Sequence, residues 1–207
     1  MNEIFLEKSE TKVSSVIRLV DDYSECDPIG KVDVSLKDIE KRPIKNISLY
    51  YVFIDLLKGI YQIQVKSDYY FDEYLNIFID GDVFKLGNLH EIKLKPNFSY
   101  PFPNGATVIR GTVCDVSRKI LSGASIKVIV KGGNGNEISN FETETSENGE
   151  FLFYFNTSQI KDFITKNNSN KGIKFEIQRN NQTIVEKEDL ISKTLVIRCD
   201  GTYYAIS

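Results

Sequence analysis

His90 is the single histidine in 207 residues, and that limits the catalytic chemistry open to this chain. A zinc hydrolase needs imidazole and carboxylate ligands converging on a metal with an open position, and no His-x-x-Glu occurs here. A serine triad would have to run through the same imidazole, and there is no Gly-x-Ser-x-Gly elbow to present a nucleophile. The stretch KGGNGNE holds Gly132, Gly133 and Gly135 but lacks the Lys-Ser/Thr of a phosphate loop, so it reads as a hairpin loop. Asp21-Asp22 and Asp80-Gly-Asp82 offer oxygens that calcium would accept, yet neither fits the twelve-residue loop pattern. The expectation is a protein that is not an enzyme, with no cofactor and no metal site.

The three cysteines are Cys26, Cys114 and Cys199. An odd, sparse set is not a disulfide framework. Cys114 and Cys199 sit in apolar strand patterns and read as buried free thiols, with a bridge between them left as an alternative. Cys26 lies in a polar loop with no basic neighbour to lower its pKa.

Aromatic residues offer a different chemistry. In DYYFDEYLNIFID a regular strand places Tyr70, Tyr74 and Phe78 on one face amid acids. Tyrosine-rich, mixed polar surfaces suit protein or glycan contact. The competing reading is a turn across Asp68–Asp72 that resets the register and buries these rings.

The elements that must carry these residues are strands. Val16–Val20, Val32–Leu36, Tyr50–Ile54, Ile60–Val65, Leu75–Ile79 and Glu91–Leu94 are short apolar or alternating runs. Asp27-Pro28-Ile29-Gly30, Lys58-Gly59, Asp80-Gly81-Asp82 and Gly87-Asn88 punctuate them. Short strands at even spacing argue for a sandwich over βαβ units. In Thr157–Ile164 the apolar residues fall at helical spacing, and Thr157 or Ser158 could cap a short helix there.

The segment KPNFSYPFPNG, with Pro96, Pro101 and Pro103, breaks the strand pattern. It divides the chain into a domain over 1–96, a linker over 97–104 and a domain over 105–207. The linker aromatics Phe98, Tyr100 and Phe102 are expected to pack on the flanking domains and stiffen the joint. The second half repeats the order of the first. VIRLVDDYSECDPIGKVDVSLK aligns with VIRGTVCDVSRKILSGASIKVIV, LYYVFIDL with GEFLFYFN, GIYQIQVKS with GIKFEIQRN, and HEIKLKP with KTLVIRCD.

IRGTVCDVSRKILSGASIKVIV followed by ETSENGEFLFYF resembles the carboxypeptidase-regulatory-like domain, a family with the transthyretin-like (prealbumin-like) β-sandwich. The matching positions are Gly111, Val113, Asp115, Gly123, Ala124, Ile126, Thr143, Thr145, Asn148, Gly149, Phe151 and Phe153. The first half resembles the other part of the pattern, in Phe53, Asp55, Leu56, Gly59 and Tyr61. Gly59 and Gly149 are expected at positive φ in tight hairpin turns. Gly123-Ala124 is expected at a crowded sheet junction, and Phe53 and Tyr61 in one core. Asp55 is expected to bond the turn backbone, so that 47–74 forms a hairpin. In the enzymes the resemblance brings to view, this domain is an appendage to a catalytic domain that is missing here. Related pilin modules carry a Lys–Asn cross-link near the last strand, where this chain reads Leu195–Asp200 without an Asn.

With a net charge of −3 and a pI near 5.4, the chain lacks the basic face a nucleic-acid partner needs. No apolar run approaches a membrane span. The polar start, MNEIFLEKSETKVSS, shows no signal peptide. The Asn-x-Ser/Thr triplets at Asn46, Asn97, Asn156, Asn167 and Asn181 therefore read as a by-product of composition, and the expected compartment is the cytoplasm. The expectation is two tandem all-β transthyretin-like sandwiches, with a short helix in the second. The expected function is a structural or protein-binding component of a larger assembly, phage-tail-like by analogy. A carbohydrate-binding module is the alternative, although the chain has no Trp.

Overall fold

The computed structural model describes residues 11–37, 39, 41–80, 88–115, 117–167, 173–179, 182–188, 190–191, 193–198 and 203–206. The chain divides into two compact units, Met1–Tyr100 and Pro101–Ser207. Asn97 to Tyr100, expected in the linker, belong to the first unit. Asn97 donates its amide to the carbonyls of Asp68 (3.0 Å) and Tyr70 (3.2 Å), and Phe98 meets Phe71 edge to face. Phe102 packs near Tyr154 in the second unit.

Unit 1 contains β1 (Val13–Asp21), β2 (Val32–Leu36), β3 (Ile44–Lys45), β4 (Tyr51–Ile54), β5 (Gly59–Ser67), β6 (Glu73–Ile79) and β7 (Leu89–Leu94). One sheet has the order β3-β4-β1-β7 and the other β2-β5-β6. Every pairing is antiparallel except that of β1 with β7, which runs parallel from Val16↔Leu89 to Asp21↔Leu94. Period-two alternation buries Ile17, Leu19, Phe53 and Leu94 from the first sheet, and Val34, Ile63, Val65 and Ile77 from the second.

Unit 2 contains β8 (Thr107–Thr112), β9 (Ser125–Lys131), β10 (Glu137–Glu144), β11 (Glu150–Phe155), α1 (Thr157–Lys166), β12 (Lys174–Arg179), β13 (Gln182–Glu188), β14 (Thr194–Ile197) and β15 (Tyr203–Ile206). Its sheets run β11-β8-β14-β15 and β10-β9-β12-β13, again with one parallel pair, β8 with β14. Both sheets feed one core, which joins Ile109, Phe151 and Leu195 to Val128, Phe175 and Ile177. Burial of each such side chain contributes roughly 1.5–3 kcal/mol. The cap of the helix is Asn156, not Thr157 or Ser158. Asn156 caps the amide of Gln159, and the Gln159 side chain returns the bond in a capping box. Phe163 then docks against Phe141 and Phe155.

The strand plans coincide along the aligned segments. β1, β2, β4, β5 and β7 occupy the places of β8, β9, β11, β12 and β14. Both units are all-β sandwiches.

Several local expectations are corrected by the pairing. Residues 47–74 do not form a hairpin, because β4 and β5 lie in different sheets and the chain arches between them. Positive φ falls on Asp55 (50°), not on Gly59. Asp55 accepts the Lys12 amide at 2.9 Å, a long-range partner in place of the turn backbone. Leu56 is buried and donates its amide to Ser14 Oγ, while Tyr61 is half-buried with its hydroxyl on the Leu57 carbonyl. Gly149 does have positive φ (68°), but the Ser146–Gly149 turn also joins strands of opposite sheets. Gly123 adopts φ 66° in open space, beside a half-buried Ala124. The crowding lies at Gly111, where a Cβ would meet the Ile197 carbonyl at 2.5 Å and the Phe151 ring at 2.9 Å. Asp115 closes its own loop by accepting the Ser117 hydroxyl and the amides of Lys119 and Ser117, and these bonds, the hydroxyl's foremost, hold its pKa below the ordinary range. Cys114 is not a free thiol but is disulfide-bonded; Cys26 is free and exposed, and Cys199 lies outside the described residues.

Candidate binding face

The side chains expected to form a surface, Tyr70, Tyr74 and Phe78, separate in the structure. Tyr70 is 1% exposed, whereas Tyr74 is 49% and Phe78 59% exposed. The register breaks between β5 and β6. There the Tyr69 carbonyl accepts from the Asn97 amide and the Phe71 amide donates to the Lys95 carbonyl, so the segment crosses onto the end of β7 and turns Tyr70 inward.

Tyr70 buries its ring to reach Asp21, a carboxylate with no exposed surface. Asp21 Oδ2 accepts the hydroxyls of Tyr70 (3.0 Å) and Tyr100 (2.5 Å), and Oδ1 accepts the amides of Tyr23 (2.8 Å) and Ser24 (3.2 Å). Burial, with the carboxylate beside them, pushes both hydroxyl pKa values well above the ordinary tyrosine range. This cluster is a filled hydrogen-bond network, and Asp21 is thereby committed to protein donors. The Asp21-Asp22 pair was visible in the sequence; its tyrosine partners, 49 and 79 residues away, were not.

Tyr74 and Phe78 remain together on the outer face of the β2-β5-β6 sheet, on its edge strand β6. Antiparallel register sets Ile60 opposite Phe78, Gln62 opposite Asn76 and Gln64 opposite Tyr74. Gln62 Nε2 donates to Asn76 Oδ1 at 3.1 Å, and Gln64 Nε2 donates to the Tyr74 hydroxyl at 2.9 Å. Lys37 Nζ stands 5.8 Å from the Tyr74 ring centroid. Ile60 is 77% exposed. The face is thus two aromatic rings and an isoleucine held in a frame of paired amides. Ile60, Gln62 and Gln64 were missed as site residues, though the alternation of β5 carries their signal.

Elsewhere the surface is less suggestive. A shallow depression of about 200 Å³ beside β1 and β7 is lined by charges of both signs, including Arg18 and Glu91, which pair at 3.5 Å. His90 is half-buried on β7, where burial lowers its pKa. Among the described residues no three His, Cys, Asp or Glu side chains converge as a metal site. No helix there is long and apolar enough to cross a membrane.

No family model matches the chain, and no curated protein matches it. Three solved structures are similar in outline. The Bacillus anthracis TIE protein is 12% identical, with 94% of this chain and 31% of that one covered, at a TM-score of 0.26. A streptococcal ancillary pilin is 12% identical over 86% of this chain and 58% of that one, at 0.27. A mutant of the shaft pilin spaA from Lactobacillus rhamnosus GG is 9% identical over 87% of this chain and 95% of that one, at 0.25. This chain spans less than two thirds of the first two. TM-scores of this size carry no argument about function.

Proposed function

We propose that this chain is a non-catalytic, protein-binding component of a larger assembly, and that its contact surface is the outer face of β5 and β6 in unit 1. The observation that carries the reading is the exposure of Tyr74 and Phe78 on one face of an edge strand, with Asn76 between them and Ile60 opposite Phe78. Aromatic anchors framed by polar groups are the composition of a protein contact. Among the described residues β6 pairs with β5 alone, and such an edge adds backbone donors and acceptors for an incoming strand. Within this reading the two modules are carboxypeptidase-regulatory-like, transthyretin-like sandwiches. The shared strand plan supports that, as do the conformational demands at Gly111, Gly123 and Gly149. The disulfide at Cys114 favours a compartment in which disulfides persist over the cytoplasm, and so an exported assembly over one that stays inside the cell.

The test is affinity capture of the tagged chain from its own host, beside a Tyr74→Ala/Phe78→Ala variant of unchanged melting temperature. The expected result is a stoichiometric partner in the first capture and its loss from the second. A wild-type chain that captures nothing, or a partner kept by the variant, overturns the reading. A saturable change in tyrosine fluorescence with polysaccharides, abolished by Tyr74→Ala, would replace it with carbohydrate binding.

A further inference from the structure

Strand β6 has the composition of an edge that is meant to be paired. Exposed edges are ordinarily blunted by charge, Pro or bulges, because a row of free amides and carbonyls recruits other strands. The equivalent edge in unit 2, β13, follows that rule, with Glu186, Lys187 and Glu188 in its second half. β6 does not. After Glu73 it reads Tyr-Leu-Asn-Ile-Phe-Ile, with no charge, no Pro and no Gly, and among the described residues it pairs with β5 alone.

We infer that β6 pairs antiparallel with β6 of a second copy of this chain about a two-fold axis at Asn76. This deepens the protein-binding reading, and rests on it, by naming one partner. The sequence around Asn76 is self-complementary. A two-fold axis sets Asn76 against Asn76 of the second copy, Tyr74 against its Phe78, and Leu75 against its Ile77. Amide thus meets amide, ring meets ring, aliphatic meets aliphatic, and no like charges are opposed. A two-fold contact of this kind is closed, since the same patch serves both partners. The two three-stranded sheets become one of six, and the exposed rings of both copies form a continuous stripe. A short strand contact buries little surface, so the dimer is weak and concentration-dependent.

The axis makes a sharp demand, because a charge at position 76 must face its own copy. Sedimentation equilibrium on the full chain compares wild type, Asn76→Lys, Asn76→Glu and an equimolar mixture of the two variants. Wild type is expected to show a reversible monomer–dimer equilibrium. Each variant alone should weaken it roughly tenfold or more, as opposed like charges require, and the mixture should restore it. Circular dichroism and melting confirm folding; where a position-76 variant fails to fold, Phe78→Lys alone and mixed with Tyr74→Glu asks the same question. A wild type that stays monomeric at about 0.5 mM overturns the inference, since weaker pairing has no standing in an assembly. So does a dimer indifferent to Asn76→Lys, or a loss that mixing does not repair. A monomeric wild type whose captured partner is still lost on Tyr74→Ala/Phe78→Ala sinks self-pairing alone, whereas a partner retained by that variant sinks the binding reading itself.

Discussion

Glu176 lies on the outer face of β12, yet its side chain is only 9% exposed. Lys131, Thr183 and Gln178 all donate to it, and they hold its pKa near 2 against an ordinary 4.5, with Lys131 the largest contributor. A folded-state pKa below the unfolded one means stability that is fully present above about pH 4.5 and lost as pH falls toward 2. Glu176→Gln should therefore be less stable than wild type at pH 7 by roughly 2 kcal/mol, and the gap should close between about pH 5 and pH 2. Urea unfolding at a series of pH values checks this, and a gap that ignores pH would show that the shape of the side chain matters and its charge does not. Nothing near Glu176 in the sequence announces this, because Lys131 stands 45 positions away on β9. Tyr70 teaches the same lesson. Its spacing to Tyr74 and Phe78 is correct for one strand face, and long-range contacts remove it from that face, among them those of Asn97, 27 and 29 residues distant, and of Asp21, 49 residues distant. Tyr74 and Phe78 were legible because they depend on local alternation alone.

Strands were legible for the same reason. The expected runs at Val16–Val20, Val32–Leu36, Tyr50–Ile54, Ile60–Val65, Leu75–Ile79 and Glu91–Leu94 each fall within or against an observed strand, with boundaries moved by a few residues. The connections were not legible, because a Gly-bearing turn of four residues serves a hairpin and an arch between sheets equally well. The three turn glycines therefore differ in what they do. Gly149 combines φ 68° with a Val113 carbonyl 2.8 Å from the missing Cβ, whereas Gly123 has φ 66° and open space. Gly59 has neither a positive φ nor a contact shorter than 3.7 Å. Alanine at Gly149 should cost more than about 2 kcal/mol, at Gly123 about 1 kcal/mol, and at Gly59 close to nothing. Thermal melts of the three variants test that order, and a Gly59→Ala penalty equal to that of Gly149→Ala would contradict the backbone geometry.

At the scale of the whole molecule, the duplication was visible as four aligned segments, and six strands of each unit occupy matching places, β6 and β13 among them. The departures were not visible. β3 pairs with β4 while β10 pairs with β9, and β15 extends unit 2 beyond β14. The Cys114 disulfide also distinguishes the units, since cysteine spacing alone fixes neither pairing nor redox state. Reduction should destabilise unit 2 by about 2–4 kcal/mol. Hydrogen exchange read by mass spectrometry should then show protection lost in 101–207 and kept in 11–100; equal loss in both would mean that the units do not unfold independently. The parallel pairing of β1 with β7 in unit 1 has a mechanical consequence. Where the entering and leaving strands of a sandwich lie side by side and point the same way, its two ends emerge at opposite poles of that pair. Tension applied through the ends of β1 and β7 runs along the ladder from Val16↔Leu89 to Asp21↔Leu94. The rungs of that ladder then carry the load together in shear, where a hairpin, such as β14 with β15 in unit 2, would unzip one rung at a time, and the first module is shaped to hold while it is pulled.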